Sequence, residues 1–113
     1  MTVKDIINIL DAKVICDNGL DKEVHTACGS DMMSDVLAFV KDQSVLLTGL
    51  VNPQVIRTAD MMDMVCIVFV RGKTPDDTII DLANERGISI LKTSHRMFTA
   101  CGLLYEHGLR GGH

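Results

Sequence analysis

Arg71-Gly72-Lys73 sets two cations around a glycine directly after the apolar stretch MVCIVFV. A guanidinium and an ammonium in that position suit an anion such as a nucleotide phosphate, and the glycine lets backbone approach it closely. Three other segments carry related chemistry: Ser30 and Asp31 after Cys28-Gly29, Thr48-Gly49 leading to Asn52, and Thr93, Ser94 and His95 after ISILK. Each offers a hydroxyl, amide, carboxylate or imidazole where a helix is expected to begin, and the free N–H groups of a helix start attract phosphate. Ordinary helix caps and turns call for the same residue types, so plain capping is the competing explanation.

No phosphate fingerprint of the G-x-G-x-x-G or G-x-x-x-x-G-K-[ST] kind occurs, and G-x-S-x-G is absent too. No nucleophile–base pair and no catalytic carboxylate pair stands out, so we expect neither an enzyme nor a cofactor. Four cysteines, Cys16, Cys28, Cys66 and Cys101, lie far apart without a C-x-x-C pair, which in a reducing cytosol implies free thiols. Cys66 sits inside the apolar run and reads as a small core residue. His25-x-x-Cys28 and His95 with Cys101 lie near the ends of two strands that adjacency would bring together, a set able to hold a metal or an iron–sulfur cluster. Cys28 at a helix start is also a candidate reactive thiol, its pKa lowered by the helix dipole.

The elements that must position these residues follow from periodicity. Val3, Ile6, Ile7 and Leu10 form one helical face, with Thr2 as N-cap and Asp5 completing a capping box. Residues 12–16 read as a strand, Asp17-Asn18-Gly19 as a turn, and 22–27 as a second strand. Cys28 to Asp31 caps a helix whose inner side carries Met33, Val36, Leu37 and Val40. Residues 44–47 form a third strand, and Asn52-Pro53 starts a helix reaching about Met62. Residues 65–70 are a continuous apolar strand of the kind covered on both faces. Thr74-Pro75-Asp76-Asp77 caps the next helix, which buries Ile79, Leu82 and Ala83 and stops at Gly87. Residues 88–91 are the last strand, and Thr93-Ser94 caps a final helix with Met97, Cys101 and Leu104 on one face. Strands alternating with helices through short turns imply βαβ units. The expected fold is therefore α/β: one three-layer α/β/α domain over residues 1–113 with a mostly parallel central sheet, and 109–113 as a flexible tail. The echo of TACG at 26–29 and 99–102 is too short to mark a repeat.

At 113 residues with 47% hydrophobic and 23% charged residues, the chain has the size and composition of one globular domain. Its net charge of −4, single Tyr, three Phe and no Trp argue against a nucleic-acid surface. The longest apolar run, Met64 to Val70, is far shorter than the roughly 20 residues of a membrane span, and Asp5 falls where a signal peptide carries positive charge. A cytoplasmic location without membrane contact is expected. Met32, Met33, Met61, Met62, Met64 and Met97 mostly match helix core positions, with a Met-rich interface as the alternative. A homodimer through an apolar helix face fits this size.

The segments VHTACGSDMMSDVLAF, SVLLTGLVNPQVIRTADMMDMVCIVFVRGKTPDD and ERGISILKTSHRMFTACGLLYEHGL resemble the DRTGG domain family over nearly the whole chain. That family is similar to the N-terminal domain of HPr kinase/phosphorylase. The resemblance implies a regulatory or ligand-sensing module, commonly dimeric, without catalytic activity of its own; free-standing members occur in anaerobic bacteria near hydrogenase-type redox genes. The family's Asp-Arg pair aligns with Val51-Asn52 and its Thr-Gly-Gly turn with Val70-Arg71-Gly72, so only Gly72 is kept. The leading expectation is a regulatory domain binding a nucleotide or similar anion at Ser30, Asp31, Thr48, Gly49, Asn52, Arg71, Gly72, Lys73, Thr93, Ser94 and His95. The alternatives are an accessory subunit for a redox-enzyme partner with no small ligand, and a metal or thiol redox sensor.

Overall fold

The computed structural model describes residues 1–39 and 43–111. The first helix, α1 (Val3–Leu10), starts as its local sequence dictates. The Thr2 hydroxyl accepts from Asp5 N–H at 3.2 Å, and the Asp5 carboxylate accepts from Thr2 N–H at 2.9 Å. Then come β1 (Lys13–Cys16), β2 (Thr26–Gly29), α2 (Met33–Phe39), β3 (Ser44–Thr48) and α3 (Pro53–Met61). The chain continues through β4 (Cys66–Phe69), α4 (Asp77–Arg86), β5 (Ser89–Lys92) and α5 (Met97–Glu106). As expected, Asn52 caps α3, its side-chain oxygen accepting from Gln54 N–H at 2.9 Å, with Pro53 behind it; Gly87 closes α4 at φ 71°.

The strands form one sheet in the order β1-β5-β4-β3-β2. β2 to β5 run parallel, and β1 alone is antiparallel, against β5. The parallel strands advance in one direction, so right-handed crossovers put their three connecting helices on the same face. Burial agrees. Val36 of α2, Val55, Ile56 and Ala59 of α3, and Ile79 and Ala83 of α4 pack with Leu46, Ile67, Phe69 and Ile90. On the opposite face Val3, Ile6 and Leu10 of α1 and Ala100 and Leu104 of α5 cover Val45, Leu47, Cys66, Val68 and Leu91. The α/β/α layering and mostly parallel sheet are as the sequence predicts.

Several local expectations fail for reasons of long-range pairing. Residues 22–25 are not strand: the backbone of 22–24 serves the start of α1, with Val3 N–H donating to Lys22 O and Val24 N–H to Met1 O, while His25 N–H donates to Gln43 O. The second strand starts four residues later than expected, where Thr26 to Gly29 find β3. The cap of α4 is Asp76, not Thr74; its carboxylate accepts from Ile79 N–H at 3.0 Å. Thr93-Ser94 does not cap α5. The Thr93 hydroxyl is buried and donates to Leu10 O at 2.9 Å, tying β5 to α1, and the N-cap is Arg96 with no side-chain bond. Only Met64 of the methionines is buried, while Met32 and Met61 are largely exposed. Leu37 is exposed too, and the expected core role of Val40 lies outside the described residues. The tail is not loose at Leu109, which is buried, nor at Arg110, whose carbonyl accepts from Ala27 N–H at 2.9 Å. Residues 112–113 lie outside the described residues.

Candidate functional site

Every candidate residue falls at the carboxyl ends of the parallel strands, yet the turns are not equivalent. Helices leaving β2, β3 and β4 go to one face of the sheet, whereas α5, leaving β5, goes to the other. Neighbouring connections therefore diverge only between β4 and β5, and such a switch point is where open α/β sheets place ligands. Arg71-Gly72-Lys73 forms one wall and Thr93 to Arg96 the other. Two backbone bonds hold the walls together: Arg71 N–H donates to His95 O and Gly72 N–H to Thr93 O, both at 2.8 Å.

Arg71 adopts φ 59° and Gly72 φ 67°. The left-handed region suits glycine, and Asp or Asn tolerate it, but a long side chain there is strained by roughly 1–2 kcal/mol. The consequence is positional. The Arg71 side chain lies across Gly49 at the end of β3: a Cβ at Gly49 would run into Nη2, with Cζ and Nε 3.1 Å away. Gly49 is thus required less for its own conformation than for the space the guanidinium occupies.

More charge gathers here than the sequence discloses. Lys92 ends β5, and its Nζ donates to the Thr74 hydroxyl at 2.6 Å. Lys13 stands opposite Lys92 in the antiparallel β1–β5 pair, a like-charge juxtaposition that costs stability unless something offsets it. Arg96 begins α5 in the facing wall. Arg71, Lys73, Lys13 and Arg96 have no ion-pair partner among the described residues. Acidic neighbours in sequence, Asp11, Asp76 and Asp77, temper this field, and Asp76 is committed to its cap. Lys92 and Lys13 escape sequence reading because their proximity depends on strand register; Arg96 is missed because the helix was expected to start earlier.

The β2 and β3 turns are spoken for internally. Asp31 Oδ1 accepts from the Thr48 hydroxyl at 3.0 Å and from Gly49 N–H at 2.7 Å. Thr48 Oγ1 accepts in turn from Leu50 N–H at 3.1 Å, and Ser30 Oγ from Met32 N–H at 3.0 Å. A carboxylate already sits on the donors a phosphate would seek at β3, and Asn52 is used as a cap. Of the eleven candidates, Arg71, Gly72, Lys73, Ser94 and His95 frame the switch point. Ser30, Asp31, Thr48 and Asn52 stabilise turns, Gly49 supports Arg71, and Thr93 belongs to the core.

The thiol and metal alternatives meet a different geometry. β2 and β5 are separated by β4 and β3, so His25 and Cys28 are not beside His95, although α5 lays Cys101 against Gly29, close to Cys28. No cluster of three or more His, Cys, Asp or Glu able to hold a metal occurs among the described residues. Burial pushes the Cys28 thiol above its usual pKa, and Cys101 and Asp35 nearby add to the rise, the reverse of the activation expected at a helix start. Burial also raises Cys16, Cys101 and most strongly Cys66. All four cysteines are free. No helix among the described residues is long and apolar enough to cross a membrane.

Comparison with solved structures finds a similar fold in the CBS and DRTGG domains of the regulatory region of Clostridium perfringens pyrophosphatase, complexed with its activator diadenosine tetraphosphate. The TM-score is 0.77 at 21% identity, over 91% of this chain and 45% of that one, so the match spans less than half of that regulatory region's chain. No curated protein matches the sequence. The DRTGG domain model matches residues 5–106, from within α1 to the end of α5, with all five strands included. The chain belongs to the DRTGG domain family.

Proposed function

We propose that this DRTGG domain is a non-catalytic, cytoplasmic regulatory module that senses a nucleotide or similar polyphosphate anion at the β4–β5 switch point. The observation that carries it is Arg71: a strained, left-handed arginine whose guanidinium lies over Gly49 without an ion-pair partner among the described residues. Strain of this kind persists where the surroundings hold it, and it is often found at ligand sites. Lys73, Lys92 and Arg96 supply further charge, and Ser94 and His95 supply hydrogen-bonding groups. The structural relative binds a nucleotide activator in its regulatory region, which supports a nucleotide as the anion class. Residues 1–113 act as one domain in this account, and exposed Met32 and Met61 support a homodimer through which occupancy would be passed on.

A thermal-shift titration with ATP, GTP and diadenosine tetraphosphate tests the proposal. A ligand at one hundred times its Kd stabilises the fold by about 2.7 kcal/mol. No shift with any of the three at millimolar concentration contradicts it. A second function, an accessory interaction subunit with no small ligand, draws on Phe98, which opens α5 and is 90% exposed. It predicts a partner retained from anaerobic extract and released by Phe98→Ser.

A further inference from the structure

A cavity that shares no residue with the charged turns lies on the face covered by α5. It encloses about 210 Å³ between the β2 edge and α5. Ala27, Leu47, Cys101, Leu104 and Leu109 form its apolar lining. Burial raises the pKa of Cys101, which keeps that thiol neutral near pH 7 and consistent with an apolar interior. The exposed residues Tyr105 and Arg110 also line the cavity, and so form its rim. The Arg110 guanidinium carbon lies 3.9 Å above the centre of the Tyr105 ring. Its Nη1 is used, donating to Tyr105 O at 2.6 Å and Leu109 O at 3.2 Å. Among the described residues Nε and Nη2 make no hydrogen bond and no carboxylate pairs with Arg110.

An apolar cavity of roughly 150 Å³ already accommodates benzene. A cavity of 210 Å³ therefore has room for one six-membered ring and a short substituent, but not for a nucleotide. A planar cation held over a tyrosine at the rim, with donors to spare, recognises a carboxylate. We infer that this cavity is a binding site for a small aromatic or branched-chain monocarboxylate, its apolar body against Leu104 and Leu109 and its carboxylate on Arg110. The site shares no residue with the β4–β5 switch point, so it stands or falls independently of nucleotide binding there.

Phenylacetate is the probe, with benzyl alcohol as a neutral analogue of similar shape, followed by methyl NMR of the full chain. The expected result is saturable shifts confined to the methyls of Ala27, Leu47, Leu104 and Leu109, with benzyl alcohol at least tenfold weaker. Arg110→Gln is expected to abolish that tenfold preference. Should this variant fail to fold, the two-ligand comparison on the unaltered protein decides alone. Absent or scattered shifts, or equal binding of the two compounds, overturn the inference. So does concentration-dependent shifting of the same methyls without any ligand, which identifies a second copy of the chain as the occupant.

Discussion

Arg71 allows a sharp separation of stability from binding. Its backbone is held at φ 59° by the bond from its own N–H to His95 O, an interaction that any non-proline residue at this position retains. Alanine there keeps the left-handed strain, roughly 1–2 kcal/mol for a residue with a Cβ. Glycine removes that strain but loses about 0.5–1 kcal/mol through its greater freedom in the unfolded chain. At the midpoints of these ranges Arg71→Gly is more stable than Arg71→Ala by about 0.75 kcal/mol, which for a chain of this size is a melting-temperature gap of roughly 3–6 °C. Both variants lack the guanidinium, so both are expected to lose nucleotide affinity equally. Urea denaturation and calorimetric melting measure the gap, and titration measures the affinity. If Arg71→Ala proves as stable as Arg71→Gly or more so, the strain assigned to this turn is wrong.

Other predictions rest on local contacts. A Cβ at Gly29 would lie 2.6 Å from Cys101 Sγ and 3.2 Å from Met97 Sδ, and overpacking of this kind costs about 1–3 kcal/mol. Gly29→Ala is therefore destabilising, and adding Cys101→Ala is expected to recover much of that loss; strict additivity in the double-mutant cycle refutes the clash. Thr2→Ala is expected to cost about 0.5–2 kcal/mol by removing the α1 cap. Bonds from Thr2 N–H, and secondarily its hydroxyl, hold the Asp5 carboxyl below its usual pKa. A depressed folded pKa gives stability that is present above the unfolded value, about 3.9, and lost as pH falls through the folded one. Asp5→Asn should narrow the stability difference between pH 7 and pH 3, and an unchanged difference would falsify that link.

What the sequence discloses is mostly what neighbours along the chain decide. The capping box at Thr2 and Asp5, the Asn52-Pro53 start and the Gly87 stop depend on contacts within a few residues, and all three are found. The apolar runs of β3 and β4 announce burial on both faces, as observed. Register and partner choice are different. Thr93 has the composition of a cap but is drawn into the core by Leu10 O, and the backbone of residues 22–24 bonds the start of α1 instead of pairing as a strand. The site follows the same rule. Arg71 and Lys73 are visible as charges, while the guanidinium's place over Gly49 and the meeting of Lys13 with Lys92 depend on which strands become neighbours. The switch point itself is a property of helix placement on two faces, which no single segment encodes.

The measurement closest to the central claim is isothermal titration of the full chain with diadenosine tetraphosphate, beside the double variant Arg71→Ala with Lys73→Ala. An anion site at Arg71 and Lys73 predicts saturable binding that weakens at least tenfold in the variant, about 1.4 kcal/mol, and falls as salt is raised. Equal affinity in the two proteins would contradict it, and the turn between β4 and β5 would then be no more than a connection.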